Sequence, residues 1–328
     1  MTGLERILVR LPNWLGDALM ARPALHALRA AHPAAEITAV GPGPLLELFS
    51  ADRLWQGAVA LPGSADEIAR LRAARFDAAL VMPPSFSSAW LALRAGARRR
   101  VGFAQDGRTP LLTRAIRRPA RGDLHLSREY LMLAAELGAT PVQVPALAVA
   151  EEPRREAAEL LGRAGLAGAS FAVLGPGAVY GPAKRWGPER FAALGRRLGV
   201  GGLRVLVCGG GAERETCGAV AAAVGGGTRS LAGSTSLPAQ AALCAQAALV
   251  VCNDSGLAHL AAATGAPTVT VFGSTSSAWS APLGPRVRVV QRAPVCSPCF
   301  ARTCVIGYAC LEAVAVEDVA RAAQEVAA

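Results

Sequence analysis

Three short windows of this chain hold residue types that can bind phosphate and move a proton. The first, Pro12-Asn13-Trp14-Leu15-Gly16-Asp17, ends on a carboxylate. The second, Gly175 to Trp186, contains the only lysine, Lys184, followed by Arg185. The third, Asn253-Asp254-Ser255-Gly256 with His259 three residues on, lies between an apolar run and an apolar helical pattern. Of 34 basic residues 33 are arginine, and asparagine occurs only at Asn13 and Asn253. Lysine and asparagine share A/T-rich codons, so their scarcity beside abundant Ala, Gly, Arg and Pro reads as G/C pressure on the gene. A replaceable lysine then drifts to arginine. One that persists marks a position where a compact ammonium is not equivalent to a planar guanidinium fork.

The chemistry these windows suggest is that of a diphosphate. Free N–H groups where a helix starts at Ser255–Gly256 can hold a phosphate, and the Ser255 hydroxyl adds a donor. His259 projects from the same helix face one turn later. Lys184 and Arg185 offer cations to a pyrophosphate, and Asp17 could accept a proton. The plainer alternatives are helix N-caps for Asp17, Asp254 or Ser255, and a packed core histidine for His259.

The elements that must position these residues alternate. Strand patterns at 6–11, 36–40, 76–82 and 100–103 are joined by helical patterns at about 17–31, 65–75 and 86–96, with another at 127–138. Pro23 predicts a kink or a restart in the first helix. Thr140–Pro145 and then Glu151-Glu152-Pro153 read as a linker, giving domains 1–150 and 151–328, with the last helix free to pack back on the first. The second half repeats the plan, with strands at 171–174, 204–208, 249–252, 268–272 and 287–290 and helices at about 189–199, 213–224, 238–247 and 256–264. Such alternation predicts an α/β protein of two doubly wound parallel-sheet domains. Their ligands bind at the carboxyl ends of the strands, in a cleft faced by both domains.

Composition and absent motifs narrow the class. The first strand does not run into Gly-x-Gly-x-x-Gly, and Lys184 is followed by Arg rather than Ser or Thr, so neither a dinucleotide fingerprint nor a Walker loop is present. There is no Asp-x-Asp metal site. No apolar run reaches the ~18 residues of a membrane span, and the start of the chain is no signal peptide. A cytoplasmic location is expected, where thiols stay reduced or bind metal. Cys296, Cys299, Cys304 and Cys310 form a run that could wrap a structural zinc, stay as free thiols or pair as disulfides, although the second pair departs from zinc-ribbon spacing. Cys208, Cys217, Cys244 and Cys252 read as core filler. The net charge of +10 favours anionic partners. Nine arginines between Arg94 and Arg121 face one acid, Asp106. They are either a solvated surface or, through Arg98, Arg99 and Arg100, a landing surface for phosphate-bearing lipid. One aromatic, Phe103, in that stretch argues against nucleic acid.

The three windows, the third continuing through Ala-Ala-Ala-Thr-Gly-Ala-Pro-Thr-Val-Thr-Val-Phe-Gly273, resemble glycosyltransferase family 9, the ADP-heptose:lipopolysaccharide heptosyltransferases. The Gly-Pro-Ala-Lys184-Arg185-Trp186 loop and the cysteine run are most similar to the heptosyltransferase II branch. The resemblance implies a GT-B fold and an inverting reaction that needs no metal or other cofactor. It implies an ADP-heptose donor on the second domain and a lipid A–Kdo–heptose type acceptor on the first, met at the cytoplasmic face of the inner membrane. It makes Asp17 the general base and puts Lys184 on the donor phosphates. Asp254, Ser255, Gly256 and His259 form the second nucleotide- and sugar-binding motif; Glu213 falls on the ribose, and Thr235 to Leu237 on the adenine pocket. Heptosyltransferase I or III, another GT-B enzyme such as an epimerase, and a non-catalytic nucleotide-sugar-binding protein are the alternatives. The last would be marked by loss of Asp17 or Lys184.

Overall fold

Buried runs of Ala, Val, Ile and Leu form the strands of two parallel sheets, as expected of strands covered on both faces. A computed structural model describes residues 3–327 and divides the chain into two units, at Ala148 and Val149. In the first unit the strands are β1 (Arg6–Arg10), β2 (Glu36–Pro42), β3 (Gly57–Leu61), β4 (Ala78–Val81), β5 (Arg99–Phe103) and β6 (Arg114–Ile116). They lie in the order β3-β2-β1-β4-β5-β6, all parallel. The helices are α1 (Leu15–Ala31), α2 (Gly43–Leu48), α3 (Ala65–Ala73), α4 (Phe86–Arg94) and α5 (Leu126–Ala135).

The second unit begins with α6 (Glu151–Arg163). Then come β7 (Phe171–Gly175), α7 (Pro188–Val200), β8 (Arg204–Val207), α8 (Arg214–Val224) and β9 (Arg229–Ser230). They are followed by α9 (Leu237–Gln246), β10 (Leu249–Asn253), α10 (Gly256–Ala263), β11 (Thr268–Phe272) and α11 (Ser277–Ser280). The unit closes with β12 (Val287–Gln291), α12 (Ala309–Glu312) and α13 (Val316–Ala327). Its sheet runs β12-β11-β10-β7-β8-β9, again parallel throughout.

Both sheets share one plan. The first strand of each unit lies beside its fourth, β1 beside β4 and β7 beside β10. At that junction the winding reverses, so the loops leaving the two strands diverge and open a crevice at their carboxyl ends.

Two expectations change. Glu151-Glu152-Pro153 is not linker but the first turn of α6. Proline is tolerated there because the first N–H groups of a helix have no intrahelical acceptor. One helix runs through Pro23, so α1 does not restart. The last helix, α13, packs on β10, β11, β12 and α7 of its own unit, burying Val319, Ala320, Ala323 and Val326.

Candidate functional site

In the second unit the carboxyl ends of β7 and β10 hold the lysine and aspartate windows. Lys184 Nζ lies 2.6 Å from Asp254 Oδ2, a pair that is nearly out of solvent. The Thr275 hydroxyl, beyond the end of β11, donates to the same oxygen at 2.5 Å. Asn253 holds the two loops together: its Nδ2 donates to the Pro176 carbonyl at 2.7 Å, and its Oδ1 accepts the Trp186 N–H at 3.0 Å. Trp186 is fully buried against Phe191, and its indole N–H donates to the Val314 carbonyl at 2.9 Å. The strand ends, the tryptophan and the asparagine thus fix where Lys184 emerges.

Ser255 occupies the N-cap position of α10 in extended conformation, but its side chain makes no cap bond. The side-chain capping alternative for this serine is therefore set aside; the Ala258 N–H turns to the Ser255 carbonyl at 3.1 Å, and the Gly256 and Leu257 N–H groups stand at the helix start ahead of it. His259, buried on α10, follows one turn later. Glu213, after β8, accepts the Gly210 N–H at 2.7 Å. Its carboxylate lies so close to Gly177 that a Cβ there would sit 2.0 Å from Oε1 and would displace the carboxylate. Thr235 precedes α9 and Leu237 opens it, just beyond β9. The structure thus brings Lys184 and Asp254 into contact and sets Ser255, Gly256, Glu213, Thr235 and Leu237 along the same sheet edge. Arg185 donates from both Nε and Nη2 to the Ala178 carbonyl, at 3.3 and 3.2 Å, bracing its own loop.

In the first unit Asp17 sits at the corresponding place, after β1. It is not an N-cap: that position belongs to Trp14, which makes no side-chain cap bond, and Asp17 stands in the first turn of α1. α1 packs against α5, where Tyr130 is fully enclosed. Burial, then the negative charge of Asp17, pushes the Tyr130 phenol well above its ordinary value, so it stays protonated beside the carboxylate. Arg118 pairs with Glu129 of α5 at 2.5 Å and lies over the Phe103 ring.

Two buried arginines shape the surrounding loops. Arg10 donates to the Leu11 carbonyl and, at 2.6 Å, to Asn13 Oδ1. Arg108 donates to the carbonyls of Phe103 (2.8 Å) and Pro83 and to Ser88 Oγ. Burial lowers each guanidinium to about 10, so both remain charged at neutral pH. Like Asn253, Asn13 is a brace that sets loop shape.

The proposed anion surface does not belong to this edge. Arg99 and Arg100 begin β5, and Arg98 precedes it, so all three lie at the amino ends of parallel strands, opposite Asp17. Arg99 donates to the Glu136 carbonyl, and Arg100 to those of Leu111 (2.7 Å) and Ala97 (2.6 Å). The cations of Arg99 and Arg100 hold chain turns together.

Among the described residues no group of three or more His, Cys, Asp or Glu side chains could hold a metal ion. All eight cysteines are free thiols, with Cys208, Cys217, Cys244 and Cys252 buried as expected. The backbone N–H groups of Tyr308, Ile306 and Gly307 hold the Cys304 thiol below its ordinary value.

Sequence reasoning missed Tyr130, Arg118, Thr275 and Tyr180. The signal for Thr275 was its place three residues past a buried parallel strand. Tyr130 comes beside Asp17 only through the packing of α5 on α1, which leaves no local mark.

Two parallel sheets of one strand order, with a carboxylate at one reversal and a lysine with a helix start at the other, are the parts of a nucleotide-sugar glycosyltransferase of the GT-B fold. The comparisons with known proteins narrow this class. The model of glycosyltransferase family 9 (heptosyltransferase) matches residues 67–309. The chain is 30% identical over 309 residues to lipopolysaccharide heptosyltransferase 2 of Escherichia coli, covering 87% of this chain and 88% of that protein. The solved structure of the E. coli ADP-heptose lipopolysaccharide heptosyltransferase II superposes with a TM-score of 0.83 at 27% identity, covering 98% of each chain. A family 9 structure from Veillonella parvula shares the fold, with a TM-score of 0.86 at 22% identity over 100% of this chain and 98% of that one. The chain belongs to glycosyltransferase family 9.

Proposed function

We propose that this enzyme transfers a heptose from ADP-L-glycero-D-manno-heptose to the inner core of lipopolysaccharide, in the manner of a heptosyltransferase II. The observation that carries this reading is the Lys184–Asp254 pair in front of the uncapped start of α10. It is a cation that a diphosphate can draw from its carboxylate, beside N–H groups that favour the same anion. Glu213 is the candidate for the ribose and Thr235–Leu237 for the adenine; Asp254, Ser255, Gly256 and His259 complete the nucleotide and sugar contacts.

Asp17 takes the proton of the acceptor hydroxyl. The oxygen attacks the anomeric carbon from the face opposite the diphosphate, and the C1–O bond breaks with its electron pair leaving on ADP. Inversion follows from this single displacement. Lys184 and the α10 start meet the charge that develops on the leaving group. Arg10 and Arg108 hold the loops around Asp17, and Tyr130 keeps its proton beside it.

The acceptor in this reading is a lipid A–Kdo–heptose core, reached by peripheral contact at the cytoplasmic face of the inner membrane. Trp14, Phe86 and Trp90 support that contact. They are exposed by 63%, 47% and 47%, on the loops and helix that leave β1 and β4, and the Phe86 and Trp90 rings stack at 6.4 Å. Among the described residues no helix is long and apolar enough to cross a membrane.

The test is an assay of purified protein with ADP-heptose and defined truncated cores. Acceptor-dependent ADP release with one heptose added to a heptosylated core is the expected result. Transfer to a core lacking heptose would indicate a heptosyltransferase I type. Donor conversion without an acceptor would indicate an epimerase.

A further inference from the structure

The segment bearing the last four cysteines forms the wall behind Lys184. The Ala183 N–H donates to the Arg302 carbonyl at 3.0 Å, and the Tyr180 hydroxyl to the Phe300 carbonyl at 2.5 Å. The Ser274 hydroxyl donates to the Ala301 carbonyl at 2.9 Å, and the Phe300 N–H returns to the Ser274 carbonyl at 2.8 Å. Gly181, at φ 151°, lets the lysine loop pass: a Cβ there would lie 2.5 Å from the Arg302 carbonyl oxygen. Three chain segments are thereby locked in one register around the lysine.

From this wall the Arg302 side chain extends over the Tyr180 ring, its Cζ 5.3 Å from the centroid. Lys184 Nζ lies 4.8 Å from the centroid of the same ring. Arg302 is exposed and has no ion-pair partner among the described residues. The two cations therefore differ. Lys184 is neutralised by Asp254, whereas the charge of Arg302 is uncompensated. Arg185, the neighbour in sequence, has turned to the Ala178 carbonyl instead.

We propose that Arg302 is a second cation of the donor site, binding the sugar-linked phosphate of the diphosphate and stabilising it as it departs. This rests on the donor reading above. When the C1–O bond breaks, its electron pair stays on the phosphate oxygen, so the leaving group gains one negative charge while Asp17 takes the acceptor proton. A cation fixed beside that oxygen binds the transition state more tightly than the intact donor. Tyr180 orients it, because a guanidinium prefers the face of an aromatic ring. The thiol-bearing segment is in this view a rigid arm that carries Arg302 to the lysine loop.

The experiment is calorimetry with ADP and AMP, together with donor kinetics, on the full chain and on Arg302→Ala and Arg302→Lys. A charge-assisted bond to phosphate supports an expected loss of about tenfold or more in ADP affinity for the alanine variant. AMP, which lacks the second phosphate, should change by no more than about twofold. The value of kcat should fall with an unchanged Tm, and lysine should restore part of both losses. Unchanged ADP affinity and kcat in Arg302→Ala overturn the role of Arg302 while leaving the donor reading intact. Equal losses for AMP and ADP with a lowered Tm also overturn it, because Arg302 would then only hold the loop. No ADP binding by the wild-type chain overturns the donor reading and this proposal with it.

Discussion

Two buried ion pairs in this protein look alike and differ in how the chain completes them. Arg22 and Asp52 meet at 2.9 Å, and Lys184 and Asp254 at 2.6 Å, each with little solvent exposure. The first pair is saturated by the chain itself. Arg22 also donates to the Pro145 carbonyl at 3.2 Å, and Asp52 accepts the Ala148 N–H at 3.0 Å. It joins the middle of α1 to the turn after α2 and to the end of the first unit. The second pair stands at the carboxyl ends of β7 and β10, and its lysine has one carboxylate partner and a ring face. Burial and distance do not separate a brace from a site. The number of fixed partners and the position on the sheet do.

The largest expected effect breaks the brace. Asp52→Ala leaves the buried Arg22 guanidinium without its carboxylate and should lower the unfolding free energy by ~3–5 kcal/mol. Denaturant unfolding measures this, and kcat of the protein that remains folded should be unchanged. A loss of kcat at full stability would put this pair in the site and erase the contrast.

The frame that carries the site was legible in the sequence, but unevenly, and the Arg22–Asp52 brace was not. The buried strands at 6–11, 76–82, 171–174, 249–252 and 268–272 showed as apolar runs, and they carry the loops that hold Asp17, Lys184 and Asp254. The strands Gly57–Leu61, Arg114–Ile116 and Arg229–Ser230 were missed. They lie at the sheet edges, are short and alternate with exposed positions, so the apolar signal is diluted. Arginine density around Arg98–Arg100 suggested an anion surface, because composition cannot show that Arg99 and Arg100 already hold carbonyls. Arg302 left no trace near Lys184 because 118 residues separate them in sequence.

A smaller effect sharpens the contrast from the donor side. Lys184→Arg should keep the charge and the fold, yet a fork cannot reproduce the point contact with both Asp254 and a phosphate. About a tenfold loss in donor kcat/KM is expected, equivalent to ~1.4 kcal/mol of transition-state stabilisation. Wild-type kinetics in this variant would show that the lone lysine is not retained for chemistry.

The smallest effect is the response to acid. Burial alone would raise the Asp52 carboxyl, but the neighbouring His26 ring, the Arg22 charge and the Ala148 N–H together hold it below its ordinary value. A carboxyl lowered on folding stabilises the protein above its unfolded pKa of about 3.9, and this contribution declines as pH falls through the folded value. The stability gap between wild type and Asp52→Ala should therefore be full at neutral pH and narrow below about pH 4. A gap that does not change with acid would mean that Asp52 gains nothing from its charge.

The central claim is a division of labour, with the proton acceptor on the first unit and the donor site on the second. Asp17→Asn tests it most directly, because it keeps the side-chain shape in the first turn of α1 and removes the base. Three quantities decide the matter on this one variant: Tm, ADP-heptose affinity and kcat. Tm and donor affinity should stay near wild type while kcat falls by ~100-fold or more, the usual size of a general-base contribution. Undiminished turnover, or a loss of donor affinity equal to the loss of turnover, would contradict the account.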